Sequence, residues 1–145
     1  MLNYGYTNKI RKLYKAATYK IHSVPPIPLK IDERNPELVK LMKKHQLKNA
    51  AIITPCNPGS CKMPMDYNER RIEFFKEILE QRKYFYLPAD NCDKETGHWH
   101  EPSFWITDIR LPEAKQLAID FGQNAFVYTT SYAAPRLIWL IKEKR

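Results

Sequence analysis

The sequence predicts a single α+β domain, and three observations predict it. Two stretches of helical periodicity each lie between apolar runs of strand length. The second and third of those runs are separated by a polar, turn-rich stretch, which makes a hairpin. The chain of 145 residues is long enough for one substantial core. From Ala50 the order reads strand, helix, strand, strand, helix, strand, strand. The first six elements are the split βαβ, or ferredoxin-like, pattern. An N-terminal strand and helix and a C-terminal strand extend this core, so residues 14–145 form the domain and 1–13 a basic arm, loose or folded as a short helix.

Taken in order, Tyr14–Val24 reads as a strand that Pro25, Pro26 and Pro28 end, because proline cannot donate to a ladder. Asn35-Pro36-Glu37 starts a helix with an N-cap, a first-turn proline and a first-turn acid, and Leu38, Leu41, Met42 and His45 follow at helical spacing. Ala50–Thr54 is the continuous apolar run of a central strand. Pro55 stops it, and PCNPGSCKMP follows as a loop. Asp66 and Glu69 have capping-box spacing ahead of Ile72, Phe75, Ile78 and Leu79, a long amphipathic helix. Tyr84–Pro88 is a strand, Ala89–His100 a polar hairpin loop and Ser103–Ile109 the next strand. Leu111-Pro112-Glu113 opens a helix that Gly122 closes as a left-handed residue. Ala125–Thr129 and Arg136–Ile141 are the last two strands.

Right-handed crossovers then bring four segments to one end of the sheet. They are the end of Ala50–Thr54, the hairpin loop, the start of Ser103–Ile109 and the start of Ala125–Thr129. The non-repetitive polar residues fall at those places, so one end of the domain is expected to be a site. Thr54, Asn57, Asn68, Arg71, Ser103, Gln123 and Asn124 are the candidate ligand-binding residues. Amides read the polar edges of ligands, while Arg71 and a helix N-terminus suit negative charge. Glu101 is the candidate acid/base or hydrogen-bond acceptor. The expected ligand is small and polar or anionic, such as a nucleotide. Turn geometry competes with function at Asn57, since Asn-Pro is ordinary turn chemistry, and explains Gln123 poorly.

The segments AAIITPCNPGS, DYNERR, HEPSFWI and FGQNAFVYTTSYAAPRLIWL resemble a largely bacterial family, domain-of-unknown-function family 3293. Its pattern is an alanine-rich strand ending T-x-x-N-P, a helix starting near an Asn and an Arg, an E-P-S-F strand start and a helix ending F-G-Q-N-A. The likeness spans roughly Thr18 to Leu140. It brings no activity with it. His98, His100, Cys61 and Cys92 depart from the pattern, which removes them from any shared chemistry.

Other classes are weighed against this reading. Cys56, Cys61, Cys92, His98 and His100 have spacings unlike a zinc finger or ribbon, so no metal and no cofactor is expected. No phosphate-binding glycine loop exists, because the only glycines are Gly5, Gly59, Gly97 and Gly122. The net charge of +8 lies wholly in residues 1–50, with eleven basic residues against three acids; residues 51–145 hold thirteen of each sign. Lys9, Arg11, Lys12, Lys15, Lys20, Lys43 and Lys44, interleaved with tyrosines, are the candidates for a nucleic-acid or acidic-protein surface. That alternative lacks the RNP1 pattern. No apolar run approaches the roughly 20 residues of a membrane span. The odd cysteine count reads as free thiols in the cytoplasm. The oligomeric state is left open.

Overall fold

A computed structural model describes residues 4–93, 100–132 and 134–141. Four helices and seven strands occur among them. Their order is α1 Tyr4–Ala16, β1 Thr18–Ile21, β2 Ile27–Lys30, α2 Pro36–Lys44, β3 Asn49–Ile53, α3 Met65–Gln81, β4 Tyr86–Cys92, β5 His100–Thr107, α4 Leu111–Asp120, β6 Ala125–Thr130 and β7 Arg136–Trp139. All seven strands join one sheet in the order β2-β1-β4-β5-β3-β6-β7, antiparallel throughout. The sheet curls. A backbone bond of 2.8 Å from Asp32 N–H, just past β2, to Pro135 O, just before β7, ties its two edges together.

Strand alternation sorts the apolar residues onto two faces. Ala50, Ile52, Trp105, Val127, Ile21 and Leu29 point inside the curl, where Leu38 and Met42 of α2 cover them. Ala51, Ile53, Phe104, Ile106 and Phe126 point outward and are covered by Phe75 and Leu79 of α3 and by Ala114, Leu117 and Ala118 of α4. Both rows of β3 are buried, which is why its sequence is apolar without alternation.

Several expected boundaries move. Residues 4–16 form one helix, so the first strand begins at Thr18 rather than Tyr14. The proline-rich stretch contains a strand, β2, that the sequence hid. Pro28 is tolerated there because its carbonyl, and with it its nitrogen, faces away from β1: the carbonyl accepts Asn35 Nδ2 at 2.9 Å. The N-terminal part therefore adds two strands and two helices rather than one of each. The expected hairpin loop shrinks from both sides as β4 runs on to Cys92 and β5 starts at His100. Asp66 and Glu69 do not form a capping box: α3 starts at Met65 after Pro64, without a side-chain cap.

Other local expectations hold. Asn35 caps α2 by accepting Leu38 N–H at 3.0 Å. Gly122 ends α4 at φ +69°, with Gly122 N–H on Ile119 O and Gln123 N–H on Ala118 O, the paired bonds of a Schellman cap.

Candidate functional site

The polar residues singled out from the sequence do meet at one end of the sheet, and most of them grip the same object, the loop 54–60. Thr54 Oγ1 donates to Pro102 O at 2.8 Å and accepts Cys56 N–H at 3.1 Å, binding the loop's start to β5. Arg71, from the second turn of α3, gives Nε–H to Pro55 O at 2.6 Å and an Nη2–H to Phe121 O, its guanidinium lying 5.2 Å from the Phe121 ring centroid. Gln123 Nε2 donates to Cys56 O at 2.9 Å. Gly59 N–H reaches Gly122 O at 2.8 Å. That approach is close enough that a Cβ on Gly122 would stand 3.0 Å from Pro58 Cβ. Asn124 Nδ2 and the Tyr14 hydroxyl both hold Ser60 Oγ.

Asn57 is the pivot. Its backbone is left-handed, at φ 50° and ψ 62°, a conformation asparagine tolerates better than most residues. That turn aims the side chain back across the loop. Asn57 Oδ1 accepts Met63 N–H at 2.8 Å and Asn68 Nδ2 at 2.9 Å, while Asn57 N–H donates to Asn68 Oδ1 at 3.0 Å. These bonds leave the amide one orientation, with Nδ2 donating to Glu101 Oε2 at 2.9 Å. On the other side Asn91, directly opposite Glu101 in the β4–β5 ladder, donates to Oε1 at 3.0 Å. Glu101 is only 4 % exposed. Its carboxylate is thus buried and gripped on each oxygen by an amide N–H, the kind of bond a buried charge requires.

Register extends this row one strand further, as Tyr19 on β1 faces Asn91. Burial, reinforced by Tyr14 and the Glu101 carboxylate, drives the Tyr19 phenol well above its ordinary titration range, so it stays a donor and bonds Tyr14 O at 2.8 Å. Glu101, Asn91, Tyr19 and Tyr14, with Thr54, Ser103 and Gln123, line a cavity of about 20 Å³. That is space for one water-sized group. Cys56, beside it on the loop, is 1 % exposed, and burial pushes its thiol up to about 11.

Tyr14, Tyr19, Asn91 and Ser60 were not among the site residues read from the sequence. Asn91 was hidden in the expected hairpin loop; the alternation Leu87, Ala89, Asn91 was the available signal, since it sets Asn91 on the inner face. His98 lies outside the described residues. His100 sits on the opposite face of β5 from Glu101 and shares Asp90 Oδ2, at 3.5 Å, with His22, at 2.7 Å. Cys61 is exposed and Cys92 partly buried. Among the described residues no group of three His, Cys, Asp or Glu side chains is arranged to hold a metal ion.

The basic candidates divide. Lys9, Lys12 and Lys15 are exposed along α1 and Lys20 is exposed on β1, while Arg11 lies over the Trp139 ring at 5.0 Å. Lys43 and Lys44 are exposed at the end of α2, just before β3 starts, at the end of that strand away from the loop 54–60. No described helix is long and apolar enough to cross a membrane.

A curled antiparallel sheet with a buried carboxylate at one end defines an α+β protein with a polar inner mouth. The chain belongs to the family described as protein of unknown function (DUF3293), whose profile matches residues 53–126. That span holds Thr54, Asn57, Asn68, Arg71, Glu101, Ser103, Gln123 and Asn124. No match was found among curated proteins or among solved structures.

Proposed function

We propose that this protein binds a small polar ligand at the loop end of the inner face, with Glu101 as the group that recognises it. The observation that carries the reading is the Glu101 carboxylate, buried yet bordering a cavity and oriented by Asn57 and Asn91. Mouths of curled sheets are common ligand sites, and a fixed carboxylate there selects a hydrogen-bond donor. The cavity fits the tip of a ligand, an amino or hydroxyl group, rather than a whole metabolite. Arg71 and the start of α3 supported an anionic ligand in the sequence; with Arg71 committed to two carbonyls, the donor-bearing ligand is the better-supported class.

A thermal-shift screen of the purified chain over small amines, polyols and nucleosides tests this. A binder raises the melting temperature of the native protein by linkage and leaves Glu101→Gln unmoved. If no compound shifts the native protein, or the shift survives Glu101→Gln, the reading fails.

A second reading, acid/base catalysis by Glu101, draws on the same cavity, since a carboxylate beside a water-sized space can take or give a proton. Turnover that persists in Glu101→Gln removes it. We also infer that β3–α3–β4–β5–α4–β6 is a ferredoxin-like core, supported by the central order β4-β5-β3-β6 and by α3 and α4 sharing the outer face. The free thiols Cys56, Cys61 and Cys92 accord with a cytoplasmic protein.

A further inference from the structure

The cavity at Glu101 is walled on one side by Tyr14, and Tyr14 belongs to α1, a helix outside the family-matched span. We propose that α1 is a lid: it hinges at Ala17, swings off the inner mouth to admit the ligand, and closes with Tyr14 as the residue that covers it. This rests on the ligand-binding reading above.

Three observations carry it. First, a cavity of about 20 Å³ takes only the tip of a ligand while α1 is seated, so seating more of a ligand beside Glu101 needs a wall that moves, and the other walls are sheet strands, Gln123 and the bonded loop 54–60. Second, polar and ring contacts fasten the second half of α1. Tyr14 holds Ser60 and meets the Trp139 ring edge-on at 5.6 Å, Arg11 lies over the same ring at 5.0 Å, and Lys30 Nζ donates to Ala16 O at 2.9 Å. Ile10 is buried, but Leu13 is 52 % exposed. Contacts of this kind are individually weak and release locally. Third, the closed seat carries an unmet hydrogen bond. One of the three buried side-chain polar atoms that lack a partner among the described residues is Trp139 Nε1, on the ring that Tyr14 and Arg11 cover. Opening lets water reach it, which lowers the penalty of lifting the helix. Ala17, the residue between α1 and β1, is neither helix nor strand and sits where such a hinge belongs.

Thiol labelling reads the lid without any ligand, so the ligand screen and this test can fail separately. The parent protein is the full chain with Cys61→Ser, Cys92→Ser and Ser103→Cys, which leaves one reporter in the cavity wall and the buried, poorly ionised Cys56 as a blank measured without Ser103→Cys. Iodoacetamide should label the reporter slowly, at a rate nearly independent of low urea, because local opening exposes little surface. Arg11→Ala and Tyr14→Phe, which loosen α1 at two separate points and leave the bond from Asn124 to Ser60 in place, should each raise that rate roughly fivefold or more, the population change expected from losing at least one cation–π contact or hydrogen bond. Three results overturn the proposal. They are labelling as fast as an exposed thiol, labelling that rises steeply with urea like global unfolding, and rates that neither variant changes.

Discussion

The two faces of the sheet are built from the same strands but solve different problems. The outer face under α3 and α4 is a run of rings: Phe75 stacks on Phe104 at 5.4 Å, Phe121 meets Phe75 edge-on at 4.8 Å, and Tyr86 meets Phe104 at 5.5 Å. Its polar groups stay at the rim, as in the bond from Tyr84 to Glu113. The inner face is aliphatic around Trp105 beneath α2 but carries a polar row at one end: Tyr19, Asn91, Glu101 and Ser103. Burying polar groups is costly unless each is bonded, and the amides of Asn57 and Asn91 answer that cost at Glu101. Both faces carry a core, but the outer one is closed by rings and the inner one ends in bonded polar groups.

Five expectations break or sharpen that contrast. The largest belongs to the outer face: Phe75→Ala, at a fully buried position shared by two ring contacts, should lose about 3–5 kcal/mol in urea unfolding. A loss below that of any change in the polar row breaks that contrast. Next is Gly122→Ala, which forces a Cβ at φ +69° and against Pro58. It should lose about 2 kcal/mol or more and loosen the loop, seen as faster amide exchange at Gly59. Glu101→Gln keeps the shape but turns an amide donor toward Asn57 or Asn91, a loss of about 1–2 kcal/mol in the same unfolding assay. A neutral or stabilising result means the two amide bonds do not offset the cost of burying the carboxylate.

The fourth concerns Cys56. Its thiol is raised from 9.0 to about 11 by burial, so the protonated form is favoured in the fold. The unfolded chain gives up that proton first, so this stabilisation is complete below pH 9.0 and is lost as pH rises toward about 11. The thiolate absorbance of Cys61→Ser/Cys92→Ser should rise with a midpoint near the upper value; a midpoint near 9.0 means the loop is open to water. The smallest effect is at the outer rim. The Tyr84 hydroxyl, then Arg110, hold the Glu113 carboxyl below its usual range, which favours the charged form in the fold. That stabilisation is present above the ordinary carboxylate range and fades as pH falls through the folded value, so Tyr84→Phe should flatten the acid limb of the stability profile slightly.

What the sequence disclosed and concealed follows the same division. Ala50–Ile53 was legible because a strand buried on both faces is apolar at every position, and the helix ends at Asn35 and Gly122 were legible because their caps need those residues. The convergence of Thr54, Asn57, Glu101 and Gln123 followed from crossover handedness. β2 was hidden because its proline, forbidding in a central strand, is harmless on an edge. Asn91 and Tyr19 were missed because a cross-strand neighbour depends on register, which apolar patterning alone does not fix when a strand carries polar residues on both faces. The bonding of Arg71 to backbone carbonyls rather than to a ligand was likewise out of reach, since an arginine near a loop looks the same in either role.

The bond from Asp32 to Pro135 bears on how this chain behaves in a crowd. An open sheet ends in strands whose spare N–H and C=O groups invite a neighbour to add on. Here the outermost strands, β2 and β7, are four residues each, and one carries Pro28. The curl turns them toward each other, and a backbone bond laces their ends. A second molecule finds a short, interrupted margin on which to extend the ladder, so concentrated solutions of this protein are expected to resist sheet-to-sheet association.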